Sequence, residues 1–342
     1  MRTVVFDHNL LEFDVKPYDL LEKYRRLLEE EVRDKLALGK DLMEISCPGC
    51  RSGNSEKAFE KFGLTYRLCR ECTSLYVSPR PDQITLDNFY RSAKSSQLWR
   101  ENILSETREI RRNKISRPLS QWILDVVDKY RPNAAKGLVL GYHNDLLLEE
   151  LIRQEPDLFS LTITNALADI EFSDIKLPNI TIMPMPVKEL SSLGPMDVCF
   201  VFDYMDRCSD LEDLMKNICS SLNRGGLMMA NTMLVSGFDL QVLWDRSESI
   251  YPPERLNLLS AEGLMQILKR HNFEILEFST PGGFDVENVR RAIKSSPDAG
   301  WPRFIRYLSE YRDDSARHEF QEFLQKHLLS SFGRIALRYN RI

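Results

Sequence analysis

The chain has 342 residues, with 46 Lys and Arg against 51 Asp and Glu, for a net charge of −5. That length exceeds one compact core and predicts two or three units. The mixed charge makes no demand for a large electropositive nucleic-acid surface, and no window approaches the roughly eighteen uninterrupted apolar residues of a membrane span, so the chain reads as soluble and cytoplasmic.

In chain order, Tyr18 to Gly39 places Leu20, Leu21, Tyr24, Leu27, Leu28, Val32 and Leu36 at helical spacing, with Gly39 as a stop. Residues 1–44 are therefore expected to be a helical N-terminal segment. Two cysteine pairs follow, Cys47-Pro-Gly-Cys50 and Cys69-Arg-Glu-Cys72, with eighteen residues between them. A short hairpin between such pairs brings four thiolates to one tetrahedral ion, and the spacing predicts a zinc module over 45–80. Four cysteines can also form disulfides. Against this, Cys199, Cys208 and Cys219 lie in apolar or helical stretches, and no secretory signal precedes the module. Four thiolates close the coordination shell, which makes the zinc structural rather than catalytic.

Ser78-Pro-Arg-Pro81 ends the module, and 81–133 reads as a helical connector in which Pro118 opens a new helix to Tyr130. Its Arg100, Arg108, Arg111, Arg112, Lys114 and Arg117 are diluted by Glu101, Glu106 and Glu109, so a solvated helix face is expected and nucleic acid is not. From Gly137 short apolar runs alternate with helical stretches, the pattern of a parallel sheet with crossover helices. Strands are expected at 138–141, 161–164, 180–183, 198–202, 227–232, 273–279 and 334–339, with helices beginning near Asn144, Asn165 and Ser209 and spanning Ser260 to His271. Residues 134–342 thus form an α/β domain, interrupted by a helical insertion over 281–331.

Several separated segments carry a family likeness. Cys-Pro-x-Cys, Tyr66-Arg-Leu-Cys-Arg-Glu-Cys72, Tyr76-Val-Ser-Pro-Arg-Pro81 and Asn88-Phe-Tyr90 resemble the N-terminal zinc-binding part of the sugar C-methyltransferases, class I S-adenosylmethionine-dependent enzymes. Met196 to Phe202 and Leu222 to Leu227 are similar to the fourth and fifth strands of that fold. Gly237 to Trp244, Tyr251-Pro-Pro253, Leu256-Asn257, Ser279 to Gly282 and Phe284-Asp-Val286 resemble the substrate side. The resemblance implies a Rossmann-like class I methyltransferase sheet, S-adenosylmethionine as cofactor and a nucleotide-linked sugar or other carbohydrate as acceptor.

The residues depart from the family where the chemistry is expected. Only Gly141 remains of the glycine-rich loop, and His143 and Asp145 stand where glycines belong. The second strand ends at Asn165, which offers an amide where a ribose-binding carboxylate is expected; Asp145 and Asp169 are the substitutes. Asp203 closes the fourth strand and, with Gly141, His143, Asp145 and Asn165, is a candidate cofactor-binding residue. A Glu-His pair becomes Asp206-Arg207, Pro-Pro-x-His becomes Pro252-Pro253-Glu254-Arg255, and Phe332 occupies a further His position. Arginine cannot accept a proton, so Tyr204, Asp206 and Glu254 are the candidate catalytic groups, with Asp203 a further base. Phe238, Gln241, Trp244 and Tyr251 are the candidate substrate contacts, on the loop at 234–257. Two functions follow from this pattern: a methyltransferase with altered catalytic groups, or a catalytically silent relative that binds a partner protein or a carbohydrate.

Overall fold

The computed structural model describes residues 12–39, 42–141, 144–156, 160–164 and 179–340. His143, Asn165 and Asp169, together with the helix expected to begin near Asn165, lie outside the described residues. Among those described, no helix is long and apolar enough to cross a membrane.

Two sheets organise the molecule. The smaller contains β1 (Ser55–Lys61), β2 (Leu64–Cys69), β3 (Leu75–Val77) and β9 (Asn257–Leu258), in that order. The larger contains β4 (Lys136–Gly141), β5 (Ser160–Ile163), β6 (Ile180–Ile182), β7 (Met196–Phe202), β8 (Leu222–Met233), β10 (Phe273–Ser279) and β11 (Phe332–Tyr339). Its order is β10-β11-β8-β7-β4-β5-β6, and only β11 runs against both of its neighbours. This is an α/β class I methyltransferase-like architecture with a mixed sheet. Strand order reverses beside β4, where the connections leaving β4 and β7 diverge and open a crevice at their carboxyl ends.

The elements follow from local sequence. Leu138, Val139 and Leu140 are buried in a strand covered on both faces, hence the unbroken apolar run. The helix at 211–221 starts on the Asp210 carboxylate, which accepts from the Asp213 amide at 2.9 Å, and that at 261–270 starts on Ser260, whose hydroxyl accepts from Gly263 at 2.9 Å. One core face joins the helix at 18–32 and the small sheet to Leu138, Leu140, Cys199 and Val201; the other packs Trp122, Ile123, Leu147 and Leu151 against Val139, Phe200 and Phe202. Helices at 285–295, 303–311 and 314–326 make up the insertion before β11.

The cysteine-bearing sheet and the larger sheet are interlocked. β9 comes from the chain between β8 and β10, yet it pairs antiparallel with β3 as Leu75↔Leu258 and Tyr76↔Asn257. A β-carbon on Gly49 would lie 2.9 Å from Gly263 Cα, so the first cysteine knuckle touches the start of the 261–270 helix backbone to backbone. The connector's basic face is not simply solvated, as its charge pattern suggested. Arg108 reaches Asp145 at 2.6 Å and Glu149 at 2.7 Å, and Arg112 reaches Glu149 at 2.7 Å, so the arginines dock the connector on the 145–154 helix.

Candidate active site

Of the expected site residues, Gly141 ends β4, Asp145 opens the helix that follows it, and Asp203 follows directly on β7. Gly141 has φ +143°, and a β-carbon there would lie 1.9 Å from the Phe202 carbonyl oxygen. Only glycine fits this crossing of β4 and β7. Next to it the Asn144 side chain is buried, 5% exposed, and its Nδ2 has no hydrogen-bond partner among the described residues. An unpaired buried amide donor costs ~1–3 kcal/mol. Asp145 is already held by Arg108. Asp203 turns through φ +53°, and its amide donates to Asn231 Oδ1 at 2.7 Å.

Arg111 faces the same space. Its guanidinium donates to Thr107 Oγ1 at 2.7 Å and to the Val15 carbonyl at 2.5 Å. Burial lowers it to about 10, against the opposing pull of the Asp203 and Asp145 carboxylates. The short helix at 12–15 is therefore tied to the connector segment that carries Arg111. Glu12 links that helix to the insertion through an ion pair with Arg291 at 2.5 Å.

Deeper in, two crossed ion pairs occupy the positions that diverge from the family. Arg207 pairs with Glu254 at 2.6 Å, and Arg255 with Asp206 at 3.4 Å. Tyr24 donates to Glu254 at 3.3 Å; Asp206 accepts from the Met233 amide at 3.0 Å and, by a short contact, from the Thr232 hydroxyl. Burial would lower the Arg207 guanidinium, but Glu254 together with Tyr90, Asp203 and Tyr24 more than reverses it. Asp206 is raised by burial, which Arg255 and Thr232 only partly offset, making it more basic than an ordinary aspartate. Tyr204 is 3% exposed within the main core, and burial pushes its phenol well above its usual range, which disfavours the phenolate a general base needs.

The four expected substrate contacts divide into two groups. Phe238 packs edge-on against Phe320 of the insertion at 5.2 Å, and Gln241 donates to the Val235 carbonyl at 2.7 Å. Trp244 stands edge-on to Phe59 at 5.7 Å, and Tyr251 lies near Phe62 at 6.3 Å and Tyr24 at 6.5 Å, so both aromatics seat the β1–β2 hairpin. Sequence reasoning missed the inward position of Arg111 and the unpaired amide of Asn144. The one available signal was the complementarity of connector arginines to Asp145, Glu149 and Glu150.

Cys47, Cys50, Cys69 and Cys72 converge so that their sulfurs all lie within 4.8 Å of one another. Zinc–sulfur bonds of ~2.3 Å place tetrahedral sulfurs ~3.8 Å apart, so the donor set fits such an ion. Four neighbouring thiolates repel one another, and a bound cation stabilises them together at neutral pH. The cluster sits at the amino end of the 261–270 helix, whose dipole favours the net negative charge of a four-thiolate site.

No curated protein sequence matches the chain. Among solved structures, the plantazolicin methyltransferase BpumL, in complex with a monoazolic desmethylPZN analog and SAH, is 12% identical with a TM-score of 0.47, over 75% of this chain and 94% of that one. The N-methyltransferase NodS from Bradyrhizobium japonicum WM9 is 12% identical with a TM-score of 0.37, over 66% and 96%. A family model described as a methyltransferase domain matches residues 18–278, which is more than half of the sequence. The chain belongs to the methyltransferase domain family.

Proposed function

We propose that the protein is an S-adenosylmethionine-dependent methyltransferase acting on a nucleotide-linked sugar or other carbohydrate in the cytoplasm, with a structural zinc ion on its four cysteines. The observation that carries this reading is the buried, unpartnered Asn144 amide beside Gly141, at the end of β4 where this fold receives its ligand. When bound, the cofactor supplies an electrophilic methyl group. Asn144 and Asp203 would hold it, and Asp206 is the carboxylate best suited to take a proton from the acceptor. Glu254 shapes the pocket through Arg207. Phe238, Gln241, Trp244 and Tyr251 lie on the loop at 234–257, and the acceptor class rests on the resemblance of that loop to the family's substrate side.

A second reading is favoured by the crossed ion pairs. With Asp206 and Glu254 both engaged by arginines, the crevice can bind without catalysing, as a silent relative that recognises a carbohydrate or a protein. Calorimetry with S-adenosylmethionine and its demethylated product separates the two. Saturable binding that weakens at least about tenfold in Asn144→Leu is expected, the loss of one buried hydrogen bond. No heat at millimolar cofactor refutes the methyltransferase reading.

A further inference from the structure

Arg80 is fully buried, and among the described residues no acidic side chain hydrogen-bonds it. Its Nε donates to the Val77 carbonyl at 2.7 Å; Nη1 donates to Asn257 Oδ1 at 2.7 Å and to the Ser209 carbonyl at 3.3 Å; Nη2 donates to the Leu256 carbonyl at 3.1 Å. A buried guanidinium is costly unless its fork is fully used, and here every nitrogen meets an oxygen. Those oxygens belong to three separate segments: the end of the cysteine-bearing sheet, the loop after β7, and the loop leading into β9.

The two loops are the ones that carry the crossed ion pairs. Asn257 completes the connection, since its Nδ2 donates to the Met205 and Cys208 carbonyls at 2.9 and 2.8 Å. The Leu256 and Asn257 amides both donate to the Asp206 carbonyl, at 2.7 and 3.0 Å. Ser209 is gripped from the same side, its hydroxyl donating to Pro81 O at 2.7 Å and its amide to Gln83 Oε1 at 2.9 Å. From the other end, β3 follows directly on Cys72 and Ser74, and Ser74 Oγ accepts from the Ser260 amide at 3.0 Å. A path of backbone and hydrogen bonds therefore runs from the cysteine cluster along the chain into β3, and through Arg80 to the segments holding Asp206, Arg207, Glu254 and Arg255.

We infer that Arg80 is a positioning residue, which with Asn257 makes the geometry of the crevice depend on an ordered, metal-loaded cysteine module. The inference rests on reading that crevice as the reaction site. It changes the role of the metal, whose loss would loosen the acid–base loops without any thiolate touching substrate. Lysine cannot replace Arg80, because a single ammonium cannot serve three segments in the planar fork geometry.

Hydrogen–deuterium exchange on the full chain, with bound zinc measured in parallel, tests this without any ligand. Arg80→Lys should retain its zinc and the protection of β4 and β8, while amides at 203–209 and 251–258 exchange about tenfold faster or more. Removing zinc from the unmodified chain with EDTA should accelerate the same two segments, and removing it from Arg80→Lys should add little there, since one link is already cut. If Arg80→Lys does not fold, Asn257→Asp keeps an acceptor for Arg80 but loses the donors to Met205 and Cys208. It should free 203–209 while leaving 75–80 protected. Acceleration confined to 43–81 after EDTA, uniform acceleration including β4 and β8, additive effects, or unchanged exchange at 203–209 in Asn257→Asp each overturns the inference. Failure of cofactor calorimetry would leave these exchange results untouched, so the two readings fail separately.

Discussion

The Arg207–Glu254 pair makes a quantitative demand on the fold. Both side chains are nearly inaccessible, 10% and 9% exposed, and their charged atoms are 2.6 Å apart. At an effective dielectric of about 20 the gross attraction is ~6 kcal/mol, and desolvation of two ions cancels most or all of it. Removing one partner exposes the other's desolvation cost. Glu254→Gln keeps the volume and an acceptor for Tyr24 but leaves a buried guanidinium uncompensated, which should cost ~3 kcal/mol. Arg207→Met strands the carboxylate and should cost a similar ~3 kcal/mol. The double variant removes both charges and should return to within ~1.5 kcal/mol of the original chain, giving a coupling energy of ~3 kcal/mol or more.

Urea unfolding followed by tryptophan fluorescence, on all four proteins of the cycle, measures these terms. Burial also predicts insensitivity to salt: the cycle in about 0.5 M NaCl should give the same coupling, whereas an exposed pair would be largely screened. Single variants that each cost under ~1 kcal/mol and combine additively would show the pair to be solvated. The crossed ion pairs would then no longer account for the lost histidines.

Three further outcomes follow. Cys50→Ser should lower bound zinc from ~1 ion per chain to none by atomic emission, and unchanged zinc content would refute a four-cysteine site. Gly263→Ala drives a β-carbon to 2.2 Å from Ser74 Oγ and 3.3 Å from Cys72 Sγ, so it should destabilise by ~1–3 kcal/mol in urea and speed zinc loss to a chelator. Gly53→Ala, with nothing within 4 Å, is the neutral control, and equal effects at the two glycines would contradict the docking of the module. Burial and the neighbouring Asp285 carboxylate raise Asp239 to about 8; with the folded value above the unfolded ~3.9, the folded state holds the extra proton, so stability falls as pH rises from about 4 toward 8, by up to ~1.4 kcal/mol per pH unit. Asp239→Asn mimics the protonated acid and should remove that slope in urea melts at a series of pH values, and parallel profiles for the two proteins would refute the assignment.

Much of this architecture is legible in the sequence because it rests on local periodicity. The Tyr18 helix, the strands at 138–141, 198–202 and 273–279 and the four cysteines depend on spacing that a reader can count. What depends on tertiary pairing is not legible. β9 is two residues long, too short for any alternation to show, yet it joins the small sheet to the large one. Arg80, flanked by Pro79 and Pro81, reads as a polar turn and is instead among the most buried side chains. Arg207 and Arg255 read as losses of histidine, because nothing in the one-dimensional order shows each facing the carboxylate that adjoins the other.

That crossing bears on how the site departs from its family. Two arginines placed in a buried crevice without compensation would each carry a penalty of several kcal/mol. Here each is matched by an acid adjoining the other arginine in sequence: Asp206 precedes Arg207, Glu254 precedes Arg255, and the contacts exchange partners. Neutralisation therefore requires the loop after β7 and the loop before β9 to lie face to face, and neither loop can satisfy its own charge alone. The arrangement ties those loops together, whereas a histidine at either position could exchange a proton with a substrate. Methyl transfer at this crevice would then require Asp206 to be released from Arg255, so the strength of these ion pairs, more than the presence of a glycine-rich loop, decides which of the two readings of the crevice holds.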